Sequence, residues 1–155
     1  GVDSEPAVRQ AFDEVSAAAR DAVGAGDVAG VLVQPMVGDG VESLIGVAPD
    51  EVFDAVVRVG PGGVRVEALD AAAALVPPFS RAEARAAVAE TPLSELLVDR
   101  RDGPDLPVDA LADLVVRVGD LAVGVDAVAE LDLNPVVVGP EGPLAVDVLV
   151  RTTPE

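Results

Sequence analysis

Glu130-Leu131-Asp132-Leu133-Asn134-Pro135-Val136-Val137-Val138 carries the clearest structural pattern in the chain. Polar and apolar residues alternate from Glu130 to Asn134, the period of a strand, and then give way to an apolar run. Residues 128–138 read as one strand and residues 144–150 as the next. Gly139-Pro140-Glu141-Gly142 between them is turn material. Two strands joined by so short a connection pair antiparallel.

The same pattern recurs upstream. Residues 31–37 form an apolar, β-branched run and residues 41–47 a second, with Gly38-Asp39-Gly40 between them, which predicts a hairpin. Residues 55–59 and 64–69 predict another strand pair, joined by Gly60-Pro61-Gly62-Gly63. Helical spacing occurs elsewhere. Asp3 or Ser4 caps a helix with Pro6 in its first turn and Val8, Phe12, Val15 and Ala19 at helical intervals, stopped by Gly24 and Gly26. Ser80 caps a short helix through Ala89, and Pro92 opens another that ends near Asp99. Residues 100–107 read as a polar loop. Over residues 108–123, Leu111, Leu114, Val115, Val118 and Leu121 share one helical face. The order is helix, four strands, helices, two strands. That predicts an α+β fold, a mainly antiparallel sheet with helices packed on one face. With 155 residues and no internal repeat, a single domain over residues 1–155 is the simplest organisation.

Composition narrows the chemistry. Half the residues are hydrophobic but only Phe12, Phe53 and Phe79 are aromatic, so the core must be Val, Leu and Ala. The net charge is -18 and every basic residue is Arg. Such a surface repels nucleic acid and anionic membranes, and it has no aromatic platform for stacking bases. Neither partner is expected. Adaptation to high salt and a GC-rich genome each produce such a composition. Without Cys or His there are no disulfides, thiolate sites or imidazole bases. No apolar run approaches the ~18 residues of a spanning helix, and residues 4–20 are amphipathic and acidic rather than a signal peptide. A cytoplasmic protein is the expectation.

Three places could carry chemistry. Asp132 and Asn134 are two apart and share a strand face, and Asp147 can return beside them after the turn. An Asn carbonyl and a carboxylate are hard oxygen donors that suit Mg²⁺. Spacing alone favours acidic residues on the wet face of a strand that ends at an Asn-Pro turn, although Asn and Asp are poor strand formers set here in an apolar context. Gly62 and Gly63, with Glu67 beyond, could let backbone N–H groups approach a phosphate, or supply the positive φ of a hairpin turn. Gln34, in Gln34-Pro35-Met36-Val37, is an amide in an apolar run that an adenine edge or a neighbouring backbone could satisfy. Glu42 could reach a ribose hydroxyl or simply face solvent. Arg100 and Arg101 could bind phosphate or sit in water.

Taken together, GVLVQPMV (30–37), ESLIGV (42–47), GPGGVRVEAL (60–69), ELDLNPVVV (130–138) and AVDV (145–148) resemble the ADP-forming acyl-CoA synthetases, relatives of the succinyl-CoA synthetase β-subunit. The resemblance runs in order over residues 1–151. It implies an ATP-grasp fold, in which two α+β subdomains clamp ATP, with this chain as the C-terminal part. It implies Mg²⁺ at Asn134 and Asp147. It implies nucleotide contacts at Gln34 beside adenine, at the Val37 backbone, at Glu42 towards the ribose, and at Gly62 and Gly63 near the phosphate route. Asp132 would face a phosphohistidine loop. The implied reaction joins a carboxylic acid and CoA using ATP, releasing ADP and phosphate. The family's phosphate-gripping Lys and phosphate-accepting His fall in an earlier subdomain, and this chain has neither residue type. Where the family commonly reads FGPVVMFGLGG, residues 53–63 read FDAVVRVGPGG. The expectation is therefore part of a ligase, completed by the N-terminal ATP-grasp subdomain and a CoA-binding domain or subunit, and inactive alone. The alternative is a non-catalytic regulatory or scaffolding ATP-grasp module, linked to a protein acetyltransferase.

Overall fold

The structure, a computed structural model, describes residues 1–63, 71–98 and 103–153. The strand expected over residues 64–69, with Glu67, Arg100 and Arg101, lies outside the described residues. The chain divides into two compact units, Gly1–Val37 and Gly38–Glu155. Each has its own local logic.

The first unit is built on α1 (Glu5–Val23). Ser4 takes the N-cap position but its side chain makes no capping hydrogen bond; the other signals hold. Pro6 sits in the first turn, Glu5 and Arg20 complement the helix dipole at the two ends, and Gly24 ends the helix at φ 95° with its N–H on the Arg20 carbonyl. A 3-10 turn follows over Ala25–Asp27. The run over residues 31–37 is not the strand its composition predicts. Leu32, Val33 and Met36 are 83%, 77% and 78% exposed. β-branched residues favour a pleated surface, but a strand exists only where a partner ladder satisfies its backbone groups.

Among the described residues the second unit holds nine elements. β1 (Val41–Asp50), β2 (Asp54–Pro61) and β3 (Ala73–Leu75) come first, then α2 (Arg81–Ala89), α3 (Leu93–Leu97) and α4 (Val108–Gly124). β4 (Val128–Gly139), β5 (Gly142–Ala145) and β6 (Val148–Thr152) close the chain. The sheet order is β3-β2-β1-β4-β5, with β6 also paired to β4, and every pairing is antiparallel. Residues 41–47 thus belong to a strand, as predicted, but their neighbours are β2 and β4. Asp50 makes the tight β1–β2 turn: its Oδ1 accepts from the N–H groups of Val52 (2.8 Å) and Phe53 (3.0 Å).

Alternation sorts the sheet into two faces. Ile45 and Val47 of β1, Val57 and Val59 of β2, and Leu131, Leu133, Val136 and Val138 of β4 are buried against the helices. Ala84, Ala87 and Val88 of α2, Leu93 and Leu97 of α3, and Leu111, Ala112, Val115 and Val118 of α4 meet them. The core is aliphatic, as the scarcity of aromatics demands. Leu121, placed by its spacing on the buried face of α4, is 38% exposed, while Gly119 is buried against the Phe79 ring. Helix α2 starts where expected. The Glu83 N–H donates to Ser80 Oγ (3.3 Å) and the Ser80 N–H donates to Glu83 Oε2 (2.7 Å), a reciprocal capping box. Among the described residues of the second unit, α2, α3 and α4 leave the other face of the sheet open. No helix among the described residues is long and apolar enough to cross a membrane.

Candidate functional site on the open face of the sheet

The site begins with a fault in the sheet. Along β1 and β4, Ser43 lies opposite Val136 and Ile45 opposite Leu133. Leu44 therefore faces two residues, Asn134 and Pro135, which is a β-bulge. Proline has no N–H to give a ladder, so within a strand flanked on both sides it needs such a place. The bulge also resets the alternation. Leu131 and Leu133 point into the core and Asp132 and Asn134 point away from it; beyond the bulge Val136 and Val138 return to the core.

On the far edge of β4 the expected strand over residues 144–150 is interrupted at the same level. β5 pairs with residues 136–139 and β6 with residues 128–133, so Val146 and Asp147 lie between the two. The Asn134 N–H donates to the Asp147 carbonyl (3.3 Å) and the Val146 N–H to the Pro135 carbonyl (3.0 Å). The predicted pair is thus brought together, backbone to backbone. Asp147 Oδ1 accepts from the Val148 N–H (2.9 Å), which orients the carboxylate. Both side chains are exposed. An amide oxygen and an oriented carboxylate on adjoining chain segments fit a hard cation that keeps most of its water. Among the described residues no three acidic side chains gather into a metal cage, so the fit rests on this pair.

A second cluster forms where β2 leaves the sheet. The Gly62 N–H donates to the Glu42 carbonyl (2.8 Å). A Cβ on Gly62 would lie 2.9 Å from the Ser43 carbonyl carbon and oxygen, closer than real Cβ atoms come. Gly63 has φ +85°, and a Cβ there would lie 2.6 Å from Glu42 Oε2. The glycine pair is therefore required by close approach and positive φ, and it seats the exposed Glu42 carboxylate. Gln34 and Val37 belong to the first unit. Gln34 is exposed rather than a buried amide, and Val37 is half-buried.

Between the bulge and the glycine turn the open face forms a concavity of about 910 Å³, lined by Leu44, Gly46, Arg58, Gly63, Asp132 and Asn134 among others. Arg58 is the residue the sequence reading missed. Its signal was present: within the apolar run over residues 55–59, period-2 alternation puts it on the face opposite Val57 and Val59.

A family profile described as "ATP-grasp domain" matches residues 1–152. The chain belongs to the ATP-grasp domain family. It is 35% identical over 140 residues to an "Acetate--CoA ligase [ADP-forming] I" of Archaeoglobus fulgidus, covering 90% of this chain and 20% of that protein. It is 30% identical over 146 residues to an "Acetate--CoA ligase [ADP-forming] I subunit beta" of Pyrococcus furiosus, covering 94% and 63%. Among solved structures it superposes on a dinucleotide-forming acetyl-coenzyme A synthetase 1 of Ca. Korarchaeum cryptofilum. The TM-score is 0.91 at 33% identity, covering 97% of this chain and 66% of that one. Another structure of that synthetase, in complex with coenzyme A and Mg-AMPPCP, gives a TM-score of 0.86 at 31% identity. This ATP-grasp chain therefore spans a fifth of one relative's length and less than two thirds of the other's. Its relatives are subunits or larger chains of ADP-forming acyl-CoA synthetases, and nucleotide and Mg²⁺ occur in the family's structures.

Proposed function

We propose that this ATP-grasp chain supplies the metal-holding wall of the nucleotide site in an ADP-forming acyl-CoA synthetase. In that role Asn134 and Asp147 bind Mg²⁺, and the ion binds and screens the phosphates of ATP or ADP. Glu42 contacts the ribose side, Gln34 the adenine edge and the Val37 backbone the base, while Gly62 and Gly63 border the phosphate route. Both units fall within the family match, in keeping with one C-terminal ATP-grasp portion. The other nucleotide wall and the CoA site come from an N-terminal ATP-grasp subdomain and a CoA-binding domain or subunit. The whole assembly joins a small carboxylic acid to CoA, and this chain alone turns nothing over.

The observation that carries the proposal is the junction at Asn134 and Asp147. A bulge on one strand and a break on its neighbour coincide there, at a cost in ladder hydrogen bonds, and two hard donors stand at the gap. Calorimetry of ADP binding with and without Mg²⁺, on the protein that carries this chain, tests it. Losing even an outer-shell group typically costs 10–100-fold in metal affinity, so Asp147→Ala should weaken Mg-ADP by about tenfold or more and leave metal-free ADP unchanged. Equal Mg-ADP affinity in both proteins would overturn the metal assignment.

A further inference from the structure

The rung that crosses the middle of the concavity has an uneven composition. Arg58 on β2 lies opposite Gly46 on β1, and Gly46 lies opposite Asp132 on β4. On its other side Arg58 lies opposite Ala74 of β3. The Arg58 stem is therefore flanked by a glycine and an alanine on the neighbouring strands. Gly46 does not owe its identity to close approach. A Cβ there would meet the Leu131 carbonyl at 3.6 Å and Asp132 Oδ1 at 4.0 Å, ordinary contact. Its effect is to leave open floor between a cation and a carboxylate two strands apart, roughly 9–10 Å from backbone to backbone.

Charge decides what this floor receives. Glu130 and Asp132 line the concavity, and the chain as a whole carries -18. A polyphosphate entering such a field is repelled unless cations stand within a few ångströms of its oxygens. A metal at Asn134 and Asp147 supplies charge on the β4 side only. Among the described lining residues Arg58 is the cationic side chain, and it stands on the β2 side. A planar guanidinium suits phosphate because it offers two parallel N–H donors at the spacing of two oxygens.

We propose that Arg58 is a phosphate-contacting residue of this concavity. It holds the polyphosphate of the nucleotide from the β2 side while the metal holds it from the β4 side. This inference rests on the nucleotide-site reading above, which uses Asn134 and Asp147 and gives Arg58 no part. A guanidinium that merely balanced Asp132 would affect fold stability and leave phosphate affinity alone, so binding is the readout that separates the two roles.

The test is a titration of the protein that carries this chain with inorganic tripolyphosphate and with Mg-ADP, followed by arginine side-chain NMR shifts at fixed ionic strength. Loss of a charge-assisted hydrogen bond predicts about fivefold or more weaker tripolyphosphate binding in Arg58→Gln, with only part of it restored in Arg58→Lys, which keeps the charge but not the two parallel donors. Arg117→Gln, on the exposed side of α4, controls for net charge and should match wild type. Equal affinity in wild type and Arg58→Gln, or no shift in wild type at millimolar tripolyphosphate, overturns the inference. Asp147→Ala in the same titrations separates the two readings. If Asp147→Ala weakens Mg-ADP and Arg58→Gln does not, the metal site stands and this inference fails. If Arg58→Gln alone matters, the inference stands and the metal assignment falls.

Discussion

At Gly62 and Gly63 two adjacent glycines serve different physical needs. Gly62 lies against the Ser43 backbone, which sits inside the central strand and cannot yield. Gly63 lies against the end of the Glu42 side chain, which can swing away, but its φ of +85° strains any L-residue. The two alanine substitutions should therefore differ. Gly63→Ala should cost about 1 kcal/mol, the usual penalty of a positive φ. Gly62→Ala should cost more, about 1–3 kcal/mol, because it overpacks rigid backbone. Urea unfolding midpoints measure both, and the opposite order would show that the turn is held differently. The same residues explain why sequence alone left a phosphate role and a turn role open. The requirement at Gly62 is a contact with a strand that lies about twenty residues upstream.

Elements in this chain were most legible where their signals are local. The start of α2 is written in Ser80 and Glu83, three residues apart, and the capping box forms as the spacing predicts. The box carries a pH signature. The Glu83 carboxyl is held below its ordinary value of 4.5, chiefly by the Ser80 backbone N–H and then by the Ser80 hydroxyl. A carboxyl whose folded pKa is lowered contributes stability that is fully present above the unfolded value and lost as pH falls through the folded one. The stability gap between wild type and Glu83→Gln should therefore be constant near neutrality and narrow as pH drops below 4.5. A gap that is unchanged in acid would mean the carboxylate contributes nothing through its charge. Elsewhere the signal was non-local and the reading fell short. Residues 31–37 have strand composition but no ladder. Residues 144–150 have strand composition and two ladders, split at Asp147, because β4 bulges opposite the gap. Short β3 went unread, since three residues carry too little pattern to outweigh their surroundings.

For the molecule as a whole, charge is the dominant surface term. At -18 the folded chain concentrates negative charge that the unfolded chain spreads out, so self-repulsion opposes folding. The ion pairs on the helical layer, Arg81 with Asp113 (2.7 Å) and Arg85 with Asp109 (2.9 Å), are exposed and offset little of it. Screening shortens from about 8 Å at physiological ionic strength to about 3 Å at 1 M. The melting temperature should rise with sodium chloride over that range. A flat or falling curve would show that those few pairs outweigh the excess charge.

Period and punctuation were written in the residues alone. Alternation at Glu130 to Asn134, helical spacing over residues 108–123, the Ser80 cap and the Gly24 stop fixed β4, α4, the start of α2 and the end of α1. They also settled that short turns demand an antiparallel sheet with helices on one face. The ordered motifs pointed to the ATP-grasp family, and the match over residues 1–152 agrees. The tertiary structure alone decided the bulge at Asn134 and Pro135, the break at Asp147 that meets it, and the placing of Arg58, Gly46 and Asp132 on one rung. The physical reason is that a strand's hydrogen bonds are completed by another strand. Its ends, bulges and neighbours therefore depend on residues far away in the chain, whereas a helix completes its bonds four residues from where they begin.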